Sequence, residues 1–294
     1  MKTTRTYIRI IALSIVLITT INNIGNAQGT DSRQRYAKQG KMYAGLLITP
    51  QSTSIKNNDF SVSSALSSKG KTSLGITLEG GYYFTKMVGV SVGAGMVSYS
   101  ADLSLDSCSS KYTTTDTESE SYEMRIKGKS ITEEQKLSYL NVPVCVILKI
   151  SSGSKLGLFV RTGLSFSIPI KKTYEGNGTF TYDGYYAAYP VLLHDIPAYF
   201  PSNVKTTSSG SLEVKSLSPA FIVSGGATFQ MNESIQLLAG LLFNRSLGSI
   251  SAYASSSGYM LSSKPNELKS IMEGTKNAAV QAFGLTLGVR YFIR

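Results

Sequence analysis

Residues 156–170 read LGLFVRTGLSFSIPI. Leu156, Leu158, Val160, Leu164, Phe166, Ile168 and Ile170 share one parity, interrupted only by Thr162, while Gly157, Arg161, Gly163, Ser165 and Ser167 fall between them. Side chains of a β-strand alternate faces with a period of two. The stretch therefore predicts a strand with one apolar face and one face that accepts glycine and charge. A soluble strand turns its apolar face to a core. Here the small and charged residues occupy the face with less room, so the greasy face is the outer one and looks at lipid.

The pattern recurs outward from this stretch in both directions. Counting it, eight segments alternate: about 41–49, 71–84, 88–96, 140–150, 156–170, 217–229, 235–243 and 283–293. Each approximates the roughly 9 to 11 residues that a tilted strand needs to cross a bilayer. Only short turns separate the second from the third segment (85–87), the fourth from the fifth (151–154) and the sixth from the seventh (231–234). The remaining connections, near 50–70, 103–135, 171–215 and 246–277, are long and rich in Ser, Thr, Lys and Tyr. Alternating short and long connections between an even number of strands predict an all-β fold: an eight-stranded antiparallel transmembrane β-barrel with short periplasmic turns and long outer loops, both chain ends being periplasmic. Tyr82, Phe84, Phe229 and Tyr291 then mark the periplasmic rim, and Phe166, Phe243 and Phe283 the outer one.

The N-terminus agrees with export. Lys2, Arg5 and Arg9 precede an apolar run from Ile10 to Ile21 and a small-residue site at Gly25-Asn26-Ala27. This is the pattern of a cleaved signal peptide. The expected division is a signal peptide over 1–27, a periplasmic tail over 28–40 and the barrel domain over 41–294. Loss of the three basic residues takes the formal charge from +11 to +8. Export removes nucleic acid as the counter-charge and leaves outer-membrane lipid and lipopolysaccharide as expected partners. Cys108 and Cys145 leave open a disulfide or two free thiols.

Several motifs carry a resemblance. Tyr139-Leu140-Asn141-Val142-Pro143-Val144, the strand around Gly163-Leu164, and the ending Thr286-x-Gly288-x-x-Tyr291-x-Ile293 resemble the small outer-membrane β-barrel family of Bacteroidetes-type bacteria, which includes the PorT-like proteins. The final Arg294 departs from the aromatic residue with which the closing motif usually ends. The resemblance implies location and fold, and it spans many roles.

No catalytic, cofactor-binding or metal site is expected. His194 is the single histidine, beside Asp195, and no nucleophile motif accompanies it. One His and two separated Cys do not make a metal-ligand pattern. Glu79, Arg161 and Arg290 share the inward parity with Asn141, Gln230, Gln236 and Asn244, and are expected to pair as a charge network filling the lumen; an ion path is the competing reading. Leu47, Ile147, Phe159, Ile222, Leu238 and Leu242 also point inward. The third loop, with Asn177-Gly178 as an expected hairpin tip, concentrates Tyr174, Phe180, Tyr182, Tyr185, Tyr186, Tyr189, Tyr199 and Phe200. It is a candidate surface for a protein or glycan, or else a self-packed cluster among lipopolysaccharide head groups. The second loop, with Glu118, Glu120, Glu123, Lys127 and Lys129, reads as solvated and mobile. The leading expectation is a non-enzymatic membrane-anchored scaffold for surface binding or envelope integrity. The alternatives are a PorT-like component of an export or assembly machine, a narrow transport pore, and an enzyme.

Overall fold

A computed structural model of the chain describes residues 41–60, 66–151, 155–253 and 259–293. The expected signal peptide and periplasmic tail lie outside these residues. Among the described residues ten strands follow one another: β1 (Met42–Phe60), β2 (Leu66–Tyr83), β3 (Val88–Thr115), β4 (Ser121–Ser151), β5 (Leu156–Tyr186), β6 (Val191–Leu193), β7 (Val204–Ser211), β8 (Ser218–Gln230), β9 (Ile235–Ser246) and β10 (Thr275–Ile293). Eight of them close a ring through antiparallel pairs, β1 to β5 in sequence, then β5 with β8, β8 with β9, β9 with β10 and β10 back with β1. Two of the short turns are pinned by side chains. Thr85 Oγ1 accepts the backbone N–H of Val88 at 2.9 Å, and Asn232 Oδ1 accepts those of Ser234 and Ile235 at 2.9 and 2.8 Å.

Around the lower half of the ring the outward faces carry an exposed apolar band. On β5 it comprises Leu156, Leu158, Leu164, Ile168 and Ile170, continued by Leu74, Ile76 and Leu78 on β2, Val92 and Met96 on β3, and Leu285 and Leu287 on β10. Water would make such a band costly at about 25 cal/mol per Å² of apolar surface, whereas hydrocarbon does not. Tyr82, Phe84, Phe229 and Tyr291 are exposed at its lower edge and Phe283 towards its upper one.

Above the band the structure departs from the expected loops. β3, β4 and β5 have 28, 31 and 31 residues, so most of the segments 103–135 and 171–186 continue the strands as a tower. The second loop is therefore a paired hairpin, with Glu123 opposite Thr113, Lys127 opposite Ser109 and Lys129 opposite Ser107, and only 116–120 form its turn. Cys108, expected in a loop, sits in β3 opposite Gly128, and both cysteines are free thiols.

Asn177-Gly178 is not a hairpin tip. Asn177 lies within β5, opposite Thr132 of β4 and Thr207 of β7. A Cβ at Gly178 would come within 2.9 Å of Ile131 Cγ1 and 3.0 Å of Phe180 Cε2, so this glycine makes room for packing, not for a turn.

In the tower β5 exchanges β8 for β7 and then β6 as its neighbour. Its inward faces form a water-soluble type of core: Ile55, Tyr99, Leu103, Leu137, Tyr139, Phe180 and Tyr182 are essentially inaccessible. The β9–β10 connection fills this interior with Tyr259, Leu261, Leu268, Ile271 and Met272.

Candidate functional site

Two places gather the polar groups singled out by the sequence: the lumen inside the band and the tip of the tower.

In the lumen, register brings Gly45 of β1 opposite both Glu79 of β2 and Arg290 of β10, while β5 carries Arg161 from across the ring. Arg290 Nε donates to Glu79 Oε1 at 3.0 Å, and Arg161 NH1 stands 3.2 Å from Glu79 Oε2. One carboxylate thus serves two guanidiniums, all three residues being less than 5% exposed. The Arg290 guanidinium also lies 4.7 Å from the Tyr43 ring and 5.8 Å from that of Phe159, a favourable placement for a desolvated cation. Below this cluster Tyr43, Tyr83, Ile147 and Phe292 form an aromatic stopper. Above it Asn141 Oδ1 accepts the hydroxyls of Ser165 and Ser167 at 2.9 and 2.6 Å. Gln236 Nε2 donates to Gln230 Oε1 at 3.1 Å, and Asn244 is buried.

Higher still, the plug of the β9–β10 connection is tied to the wall. Glu133 accepts hydrogen bonds from Gln135 Nε2 (2.7 Å), Ser270 Oγ (2.9 Å) and the Ile271 backbone N–H (2.7 Å). Tyr182 O–H meets Ser262 Oγ at 2.7 Å, and Tyr112 O–H donates to the Ser263 carbonyl at 2.9 Å. Glu133 stands seven residues above Leu140 of the band. Burial pushes its carboxyl up from 4.5 to about 7, against the lowering effect of its hydrogen bonds.

The tip is built from the β3–β4 turn and the β5–β6 hairpin. Asp116 Oδ1 accepts the backbone N–H groups of Glu118 and Glu120, both at 2.9 Å, which shapes the turn. Those backbone donors, first that of Glu120, hold the Asp116 carboxyl below its usual range. Asp116 Oδ2 accepts the Tyr186 hydroxyl and Glu120 Oε1 that of Tyr189, each at 2.9 Å. Tyr186 stacks on Tyr122 with centroids 5.2 Å apart, and Phe200 meets Tyr122 edge-on at 5.5 Å. Phe200 sits against β5 because residue 184 is glycine: a Cβ there would collide with its ring. Between turn and hairpin lies an open cleft of about 490 Å³. Asp116, Glu118 and Glu120 form its acidic side, Tyr186, Tyr189 and Tyr199 its aromatic side, and Val191, Leu193, Ile196 and Phe200 its apolar floor.

The expected tyrosine surface is thus divided. Tyr186, Tyr189, Tyr199 and Phe200 converge on the cleft, although Phe200 is buried beneath it. Tyr185 instead carries Arg125 4.1 Å above its ring. Tyr182 and Phe180 are fully buried in the tower and offer nothing to a partner; their even parity points inward because β5 carries an extra residue, Ile170 between Pro169 and Lys171, opposite Ser138 and Tyr139 of β4, which shifts its register. Tyr174 packs against the lower part of the tower core, with Tyr99, Leu137 and Tyr139. The acidic turn and the run Val191-Leu192-Leu193 were not singled out as a site by sequence. The latter was detectable as an apolar triplet set between Pro190 and Pro197. His194 is exposed just after β6.

The closed ring, the apolar outer band and the filled lumen define an eight-stranded antiparallel β-barrel of the outer-membrane type. Among solved structures, the chain is similar to neisserial surface protein A (TM-score 0.36, 11% identity, 86% of this chain and 97% of that one). It is also similar to Ail, the attachment invasion locus protein of Yersinia pestis (TM-score 0.32, 12% identity, 86% and 99%), and to OprG of Pseudomonas aeruginosa (TM-score 0.38, 11% identity, 87% and 97%). No protein-family profile and no curated protein matches the sequence. The fold follows from this chain's own strand pairing.

Proposed function

We propose that the protein is a non-enzymatic outer-membrane scaffold that holds a binding surface above the membrane, exported by residues 1–27 and anchored with both termini in the periplasm. Outer-membrane lipid and lipopolysaccharide surround its band, in keeping with the resemblance to small barrels of Bacteroidetes-type bacteria. One observation carries this reading. Among the described residues, large apolar side chains are exposed in the band and at its rims, and then again only at the tip, where Tyr189, Val191, Leu192 and Tyr199 are 62, 41, 40 and 57% accessible. Exposed apolar groups clustered away from lipid mark interaction surfaces. The aromatic stopper, the Glu79 cluster and the Glu133-tethered plug succeed one another along the lumen and speak against a solute path.

Two measurements test the proposal together. In planar bilayers the purified protein is expected to give no conductance steps; steady ion-conducting openings would replace the scaffold by a pore. On intact cells, Thr117→Cys in a C108S/C145S background is expected to react with a membrane-impermeant maleimide. Labelling only after lysis would place the tip on the wrong side and end the reading.

A further inference from the structure

We infer that the tip cleft binds a polypeptide segment in which a lysine or arginine stands beside an aliphatic or aromatic residue; the inference rests on the surface-binding reading above.

Height excludes lipid as the occupant. Sixteen residues of β5 separate Ile170, at the top of the band, from Tyr186 at the cleft. At about 3.3 Å per residue and a tilt of roughly 45°, the cleft stands on the order of 35 Å above the hydrocarbon.

Charge selects the sign of the ligand. Asp116, Glu118 and Glu120 lie along one side and no basic residue lines the cleft. Three cations of β3 and β4 in the tower are engaged with other carboxylates: Lys111 and Arg125 both pair with Glu123, at 3.0 and 2.8 Å, and Lys127 stands 3.5 Å from Asp183. Asp116 and Glu120 keep their carboxylates as acceptors of tyrosine hydroxyls, and the Glu118 side chain has no hydrogen bond or ion pair among the described residues. Polyanions such as sulfated or phosphorylated glycans are repelled. A cation gains both the carboxylates and the exposed ring faces of Tyr189 and Tyr199.

The sheet edge selects a polypeptide. β6 pairs with β5 on one side only and ends the sheet, leaving its other edge unpaired among the described residues. An extended segment added there would gain main-chain hydrogen bonds while alternate side chains reach the apolar floor.

The experiment uses the full-length protein in phosphatidylcholine nanodiscs and a fluorescent peptide, Ser-Lys-Val-Lys-Val-Lys-Tyr-Ser, with empty discs as the blank. The peptide is expected to bind, to weaken with added salt, and to bind roughly three- to tenfold more weakly to E118Q/E120Q, a surface-turn variant that leaves Asp116 in place. V191S/Y199S should weaken it similarly, and N-methylation of alternate peptide nitrogens should abolish it; full binding by the methylated peptide would overturn the strand-edge component. If peptides with the lysines replaced by Gln or Glu, or a maltodextrin, bind as well and lose binding in V191S/Y199S, the cationic class is overturned and the surface-binding reading stands. If no probe binds above the blank, both are overturned.

Discussion

Replacing Glu79 with Gln removes the single negative charge between two guanidiniums that are 3% and 1% exposed. Breaking one buried ion pair in this way costs roughly 3 to 5 kcal/mol, because the remaining charge keeps its desolvation without its partner. Two stranded charges 3.2 and 2.9 Å from the lost oxygens place E79Q at the upper end of that range. Arg161→Met leaves Glu79 and Arg290 as a one-to-one pair and is expected to cost about 1 kcal/mol or less, since hydrophobic replacement of an excess buried ion is often neutral. Arg290→Met falls between, for it also loses the Tyr43 and Phe159 faces. E79Q/R161M should regain about 1 to 3 kcal/mol relative to additivity. Urea unfolding in phospholipid vesicles, followed by tyrosine fluorescence and by gel mobility of unheated samples, gives all four values. The reasoning is refuted if R161M proves as damaging as E79Q and the cycle shows no coupling.

Three other perturbations are separately measurable. Leu164→Arg puts a charge on the lipid face and should cost about 2 to 4 kcal/mol of insertion, whereas Ser165→Ala, which removes the bond to Asn141, should cost about 1 kcal/mol; equal costs would reverse the assigned faces. Because Glu133 is raised to about 7 when the plug is docked, docking keeps its full stability below about pH 4.5. It loses stability as pH rises through 7, by about 3 kcal/mol once the carboxyl is fully ionised. Hydrogen exchange of 259–274, corrected for intrinsic rates, should therefore report weaker protection at pH 8.5 than at pH 5 and a flat profile in E133Q; protection that strengthens with pH would contradict this. Gly184→Ala should expel Phe200 and speed exchange over 182–200 while leaving the β1–β10 pairing protected; unchanged exchange at the tip would show that Phe200 does not hold it.

The barrel was legible because lipid-facing strands write an apolar residue at every second position, as in Leu156 to Ile170. The tower was not, and β3 shows why. Val90, Val92 and Met96 face out and are apolar, while Gly89, Gly93 and Gly95 face in. Immediately above, Val97, Tyr99, Ala101, Leu103 and Leu105 face in and are buried, while Ser98, Ser100 and Asp102 face out. The strand continues without turning over, but its surroundings change from lipid to water, so the apolar parity jumps from even to odd at Met96–Val97. A reader following one parity sees the strand stop there. Further up, the residues face the other way in β4 beyond Ser130, whose φ of 51° accompanies the shift between Lys129 and Thr132. Ser- and Thr-rich outward faces complete the resemblance to loop.

The site divided along the same line. Glu79, Arg161 and Arg290 were nameable because inward parity holds throughout the band. The tip depends on which residues of a tyrosine-rich stretch face in, and parity beyond the bulge after Ile168 is not written in the alternation. Nor does any local signal tell that the β3–β4 turn, with Asp116, Glu118 and Glu120, meets the β5–β6 hairpin some 70 residues later; the Tyr186–Asp116 and Tyr189–Glu120 bonds span 70 and 69 positions.

The chain contains no tryptophan, which makes depth directly measurable. Single variants L164W and L192W, each in vesicles of phosphatidylcholine brominated along its acyl chains, place one fluorophore in the band and one at the tip. Strong quenching of L164W with none of L192W is the outcome that a lipid-facing band beneath a water-exposed tower requires. Equal quenching at the two positions, or an unquenched L164W, would contradict it.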